Sequence, residues 1–355
     1  MSGLIFKNDW DEAKARFTSW WKRENTDRPV FYMQVANQKA IDIYNTSSSN
    51  NEEQWTDFNR IADREEGIMQ NSIYPAEGFP ALTASLGPGS LGVFLGAVPV
   101  FGADTIWYEP CFDDIHQADI NFDKESKWWN WTVDFTKKLV EKGRGKYVVQ
   151  IPDLIENIDT IASLVGSESC LYYLVDFPEE IHRLQKQILP VWFEVFEEIY
   201  QIVKDEDGGS SFMAFNLWAP GRYAKLQCDL SAMISPDMFA EFVFPYLKEQ
   251  CNRLEYTIYH LDGPGALKHL DMLLSIDSLD CIQWTPGAGA PEGSDPCWDM
   301  IYRKTLDAGK CVHAGIPPEK IESFVKRFGR KAIFISTYPK NIDQAYDIIN
   351  QSYKW

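Results

Sequence analysis

Eight short runs rich in β-branched and aromatic residues recur along the chain, at 29–35, 79–85, 146–152, 210–216, 256–262, 279–285, 309–316 and 331–337. Between them lie stretches with apolar residues at three- and four-residue spacing, the signature of amphipathic helices. The clearest spans 178–204, where Ile181, Leu184, Ile188, Leu189, Trp192, Val195, Phe196 and Ile199 share one helical face behind Pro178. Another begins at Ser235, a capping residue type, followed by Pro236 in the first turn. Strand and helix alternating eight times predict an α/β fold, and eight units in one chain predict a closed (β/α)8 TIM barrel rather than an open sheet. From the fifth strand onward each unit takes about 25 residues, close to the length of a βαβ repeat. Residues 36–57 and 86–130 read as long loops inserted after strands one and two, the first holding a polar Ser/Asn run expected to be mobile. No linker separates two self-sufficient sets of elements, so a single domain over 1–355 is expected.

Charge and composition narrow the class of partner. The 34 basic and 52 acidic residues give a net charge of -18, which repels a phosphate backbone or an anionic membrane surface. No apolar stretch approaches the ~20 residues of a membrane helix, and the first ten residues lack an apolar signal core. A cytoplasmic protein without nucleic-acid or membrane partners is the expectation. The 7 cysteines are scattered and never form a C-x-x-C pair, so they read as reduced thiols. The run Gly87-Pro88-Gly89-Ser90-Leu91-Gly92 lacks the Lys-Ser/Thr ending of a phosphate loop, and no G-x-S-x-G occurs. Neither a nucleotide nor a serine nucleophile is expected.

In a parallel barrel the active site lies where the strands end, so the residues at which each apolar run turns polar are the candidates. His260 and Asp262 stand two apart on strand five and therefore share a face, as a metal site or an acid/base pair requires. Gly263-Pro264-Gly265 follows them and admits a ligand or backbone. The alternative is that the two side chains simply satisfy each other beneath the loops. His313, on strand seven, either completes a metal set with His260 and Asp262 or forms a hydrogen-bonded rim. Asp153, after strand three, is a further candidate catalytic group. Asn216, Trp218, Gln283, Trp284, Trp107 and Tyr338 are the expected substrate contacts. An indole at the catalytic face can grip a planar or sugar-like substrate, or else pack in the core.

Asp27-Arg28-Pro29-Val30-Phe31-Tyr32-Met33, Leu86-Gly87-Pro88-Gly89, Asp104-Thr105-Ile106-Trp107, Ile234-Ser235-Pro236-Asp237-Met238-Phe239, Phe244-Pro245-Tyr246-Leu247-Lys248 and the stretch from Gly329 to Ser336 carry a resemblance. The chain resembles the uroporphyrinogen decarboxylase superfamily, which includes haem-pathway decarboxylases and cobalamin-dependent methyltransferases. The resemblance implies a (β/α)8 barrel with a deep central cleft. The decarboxylases carry Met-Arg-Gln-Ala-Gly-Arg after strand one, whereas this chain reads Met33-Gln34-Val35-Ala36-Asn37-Gln38. Without that cationic clamp, uroporphyrinogen is not expected as a substrate. The methyltransferases bind zinc through a His-x-Cys pair and a later Cys. His260 matches the first ligand, Asp262 stands at the second, and the third falls near Thr337 and Tyr338. Zinc or another divalent metal on His260, Asp262 and His313 is the implied modified set.

The first functional reading is thus a corrinoid-linked methyltransferase acting on a small molecule, with a separate corrinoid protein as partner. The second is a carboxy-lyase of a different small acid. The third is a non-catalytic carbohydrate-binding barrel that uses its tryptophans.

Overall fold

The computed structural model describes residues 3–46 and 50–355. The Ser/Asn positions 47–49, within the run expected to be mobile, lie outside the described residues. Six parallel strands form one sheet, in the order Val30–Met33, Ile333–Thr337, Cys311–Gly315, Cys281–Thr285, Tyr256–Asp262 and Tyr223–Gln227. A separate parallel pair, Ala81–Leu82 with Val148–Val149, lies in the other part of the fold. That pair is linked onward by the parallel bridge between Ile151 and Phe212. On its other side the Glu77 amide donates to the Phe31 carbonyl.

Seven of the eight apolar runs contain a parallel strand of this system. The run at 210–216 is different: Ser210–Phe212 turns back into Leu217–Ala219 as an antiparallel hairpin. The strand that continues the sheet beside Tyr256–Asp262 is Tyr223–Gln227. Its sequence, Tyr-Ala-Lys-Leu-Gln, is interrupted by polar residues because they point into a polar interior, which hides it from a search for apolar runs.

The helix Trp10–Trp21 packs against the amino ends of the strands. Trp21 lies against Tyr223 and Tyr256, the first residues of two neighbouring strands, and Trp20 against Phe334. This apolar floor leaves the opposite, carboxyl end as the place for chemistry. The long helix Pro178–Val203 buries the stripe read from the sequence, from Ile181 to Ile199, with Pro190 in its interior. Ser235 caps the helix Pro236–Phe242, its hydroxyl accepting from the Met238 amide at 3.1 Å. The two long insertions hold structure of their own. The first carries Gln38–Tyr44 and Asn51–Thr56 and is followed by the helix Phe58–Gln70, and the second carries a hairpin of Val98–Phe101 with Ile106–Glu109. Among the described residues no helix is long and apolar enough to cross a membrane. All seven cysteines are free thiols, and only Cys111 and Cys297 are exposed.

Candidate active site at the carboxyl ends of the strands

Strand register sets the site. In four adjacent strands Gln227 pairs with His260, His260 with Gln283, and Gln283 with His313. Residues in register on parallel strands point to the same face, so these four polar side chains form one row across the sheet. The alternation continues along each strand, placing Lys225 one step below Gln227, and Asp262 one step above His260.

The row is hydrogen-bonded within itself. His260 Nδ1 bonds to Gln283 Oε1, while Gln283 Nε2 donates to Thr285 Oγ1 at 2.8 Å. An amide oxygen only accepts, so Nδ1 carries a proton, and in the neutral ring Nε2 is the nitrogen with the free lone pair. Lys225 is buried and donates to Asp153 Oδ2 at 2.7 Å and to Gln227 Oε1. Gln227 in turn donates to Asp229 Oδ2 at 3.0 Å.

Behind this row stands an acidic layer. Glu156 accepts from the Gln227 amide, and Asp159 from the amides of Asp229 and Leu230 at 2.6 and 3.0 Å. Burial pushes Glu156 well above the ordinary carboxylate range, with Lys225 pulling it back. Burial, then the charge of Asp229, raises Asp159 to about 7. Asp229 is raised as well, mainly by loss of hydration, while His260 and Lys225 oppose the shift and Asp262 adds to it. Four carboxylates around one lysine make an environment that favours protonation of the acids or the arrival of a cation.

Asp229, His260 and Asp262 each offer a ligand atom within 4.8 Å of the others. An imidazole nitrogen and two carboxylates suit a borderline or hard divalent ion, and the Gln283 contact orients the imidazole as such a ligand needs. They do not supply thiolate. Cys228, the thiol adjoining Asp229 in the chain, is buried with Sγ turned towards Asp159, and burial raises it well above its usual range.

His313, expected from the sequence beside His260 and Asp262 in a ligand set, is not among the three residues whose ligand atoms converge. Its Nε2 bonds to Ser336 Oγ at 2.8 Å, and its ring stacks on Phe334 at 4.3 Å. Burial first, and then neighbouring His260, lowers it to about 3, so the ring is neutral at ordinary pH. Asp229 stands where a third ligand is needed. Asp153, a candidate catalytic group from the sequence, is paired with buried Lys225.

Beside the row a cleft of about 260 Å³ is lined by Tyr32, Phe215, Asn216, Gln283, His313 and Tyr338, among others. Phe215 faces both histidines, with ring centres 5.5 Å from His260 and 5.1 Å from His313. Its neighbours Ala214 and Asn216 have φ of 122° and 47°, and Ile155 and Asn157 in the acidic loop have 33° and 56°. Such conformations cost about 1–3 kcal/mol each for residues with a side chain and cluster where function constrains the backbone. Gly263, after Asp262, has φ of 75° and open space where a Cβ would lie.

The structure thus brings Asn216, Gln283 and Tyr338 to the cleft with His313. Of the three tryptophans expected there, Trp284 is among the lining residues, while Trp218 and Trp107 fall elsewhere. Trp218 is 5% exposed and packs beneath the first helix, its carbonyl accepting from Trp21. Trp284 lines the cleft, though its indole is almost fully buried and lies 5.0 Å from Trp298. Trp107 is 69% exposed on the peripheral hairpin and does not line the cleft.

The sequence reading missed Lys225, Gln227, Asp229, Glu156 and Asp159. A signal was present: Lys225, Gln227 and Asp229 repeat the every-second-residue spacing of His260 and Asp262, and Asp153, Glu156 and Asp159 recur at three-residue intervals.

No family profile and no curated protein sequence matches the chain. Among solved structures it is similar to a methyltransferase from Methanosarcina mazei, with a TM-score of 0.64 and 11% sequence identity over 96% of this chain and 98% of that one, so the two share a fold.

Proposed function

We propose that this chain is a single-domain enzyme of the uroporphyrinogen decarboxylase superfamily that transfers a methyl group to or from a small molecule. In this reading the six-stranded sheet and the parallel pair close as a (β/α)8 barrel, and the substrate enters the cleft at its carboxyl end. Asp229, His260 and Asp262 hold a divalent metal, and a separate corrinoid protein carries the methyl group. The approach of those three ligand atoms to within 4.8 Å, beside the cleft, is the observation that carries the reading. The shared fold with a methyltransferase supports the reaction class.

The bound metal would act as a Lewis acid on a substrate heteroatom. The chain's own residues do the rest. Gln283 fixes the tautomer and orientation of His260. Gln227 and Asp159 fix the turn that presents Asp229. Phe215 screens the histidines, and neutral His313 offers a hydrogen bond without adding charge. The carboxy-lyase reading has less support, since no arginine or lysine lines the cleft to hold a substrate carboxylate.

The test combines metal analysis of the purified protein with a spectrophotometric assay. Methylated small molecules are mixed with reduced cobalamin, and cobalamin methylation is followed in the visible range. Stoichiometric metal that is lost in both Asp229→Ala and His260→Ala, together with turnover that needs the metal, is the expected result. Turnover independent of all three residues would refute the reading.

A further inference from the structure

The cleft combines aromatic walls with uncharged polar groups. Tyr32, Phe215 and Tyr338 supply the rings, with Tyr32 and Tyr338 6.5 Å apart and steeply tilted. Asn216, Gln283, Thr285, His313 and Ser336 supply amide, hydroxyl and imidazole groups. No lysine, arginine, aspartate or glutamate is among the lining residues. Among the described residues, the cation beneath the row, Lys225, is already occupied by Asp153 and Gln227. His313 adds an independent pointer. It is 2% exposed, yet its Nδ1 has no hydrogen-bond partner. A buried polar atom left without a partner is unfavourable, so the polar character of this wall is not fully satisfied within the protein.

We infer that the cleft binds an uncharged, hydroxyl-bearing ring of monosaccharide or cyclitol size. Three properties set that class. The volume of about 260 Å³ is below the range for drug-sized ligands, so one ring with its substituents fills it. An anionic group would find no lysine or arginine among the lining residues to receive it, inside a chain of net charge -18. A purely apolar ligand would strip water from the Asn216 amide and from the remaining hydrogen-bonding capacity of the Thr285 and Ser336 hydroxyls. A sugar-like ring presents C–H faces to the tyrosines and hydroxyls to the polar groups. This rests on tyrosines and neutral polar side chains, and not on the tryptophans that the sequence brings forward. It also rests on the reading of the cleft as the substrate site, but requires neither metal nor corrinoid.

The experiment is calorimetric or NMR titration of the full chain, with and without chelator, using rings that differ in charge. The probes are methyl β-D-glucopyranoside, methyl β-D-galactopyranoside and myo-inositol as neutral rings, methyl β-D-glucuronide as the anion and glucosamine as the cation. At least one neutral ring should bind in the millimolar range or tighter, and both charged rings at least about tenfold more weakly than it does. Tyr338→Arg alters an exposed side chain and should fold normally. It should weaken the best neutral ring about tenfold and bring the glucuronide to at least equal affinity. Equal or tighter binding of either charged ring to the unaltered protein would overturn the inference, as would failure of every neutral ring to bind. The two readings separate cleanly. Ring binding without methyl transfer would sink the proposed reaction alone, and methyl transfer from a charged substrate without ring binding would sink this inference alone.

Discussion

His260 and Gln283 lie in register on adjacent parallel strands, and the imidazole Nδ1 donates to the amide oxygen of Gln283. That bond selects the tautomer with Nε2 unprotonated, the form a metal requires. Gln283→Leu keeps the volume but removes the acceptor, and should weaken zinc or manganese binding about 10–100-fold while the circular dichroism spectrum is unchanged. Gln283→Glu retains an acceptor and should keep most of the affinity. Competition with a chromophoric chelator measures both. Equal affinities for wild type and Gln283→Leu would show that the contact does not serve metal binding.

Lys225 and Asp153 form a buried ion pair beneath the row. Removing one partner leaves an uncompensated buried charge, so Lys225→Met should lower stability to denaturant by about 3–5 kcal/mol. The double variant Lys225→Met with Asp153→Leu removes both charges and should recover most of that loss. A double variant as unstable as the sum of the two singles would mean that the residues act independently of each other.

What the sequence discloses about this site follows from how strands signal themselves. The strands carrying His260, Gln283 and His313 have enough apolar flanking residues to be found, and their register then aligns those three side chains. Tyr223–Gln227 was invisible because two of its five residues, Lys225 and Gln227, face a polar interior and break the apolar run. Asp229 was lost with it, and His313 took its place in the expected ligand set. The hairpin that displaced the expected fourth strand depends on Ala214 and Asn216 at positive φ, conformations that neither residue type announces. Trp218 was misplaced for a related reason. An indole in a strand is apolar enough for the core, and only knowledge of the register says which face it takes.

Trp218 therefore has a different expected role from Trp107. Trp218→Ala would empty a large buried volume beneath Trp10 and Trp21, and should cost about 3–5 kcal/mol in chemical denaturation. Trp107→Ala removes an exposed indole and should change stability by no more than about 0.5 kcal/mol. Ligand binding at the cleft should be unaffected by Trp107→Ala. A large loss of binding in that variant would move the peripheral hairpin into the site.

The pH dependence of folding should carry two opposed contributions. Burial, followed by the charge of Asp229, raises Asp159 to about 7 from an unfolded value of about 4. The folded state then binds more protons than the unfolded one between those values, so this group's contribution is full at low pH and is lost as pH rises through about 7. His313 has the other sign. Burial and then His260 lower it to about 3 from about 6.5, so its contribution is full above about 6.5 and is lost as pH falls towards 3. In the wild type the two slopes partly cancel between about pH 4 and 6.5, and only the fall due to Asp159 remains above that window. Asp159→Asn should remove the fall near neutrality, leaving stability more nearly level from about pH 6.5 to 8. His313→Gln should unmask the fall at lower pH, making stability decline from about pH 4.5 upward. At ~1.4 kcal/mol per unit of displacement, the difference should be somewhat under about 1 kcal/mol for Asp159→Asn between about pH 6.5 and 7, and a few kcal/mol for His313→Gln between about pH 4.5 and 6.5. Urea unfolding with chelator present, at half-unit intervals from about pH 4.5 to 8, gives the curves without interference from metal binding. Curves for both variants that run parallel to wild type throughout would show that neither group titrates between the folded and unfolded states as its surroundings require.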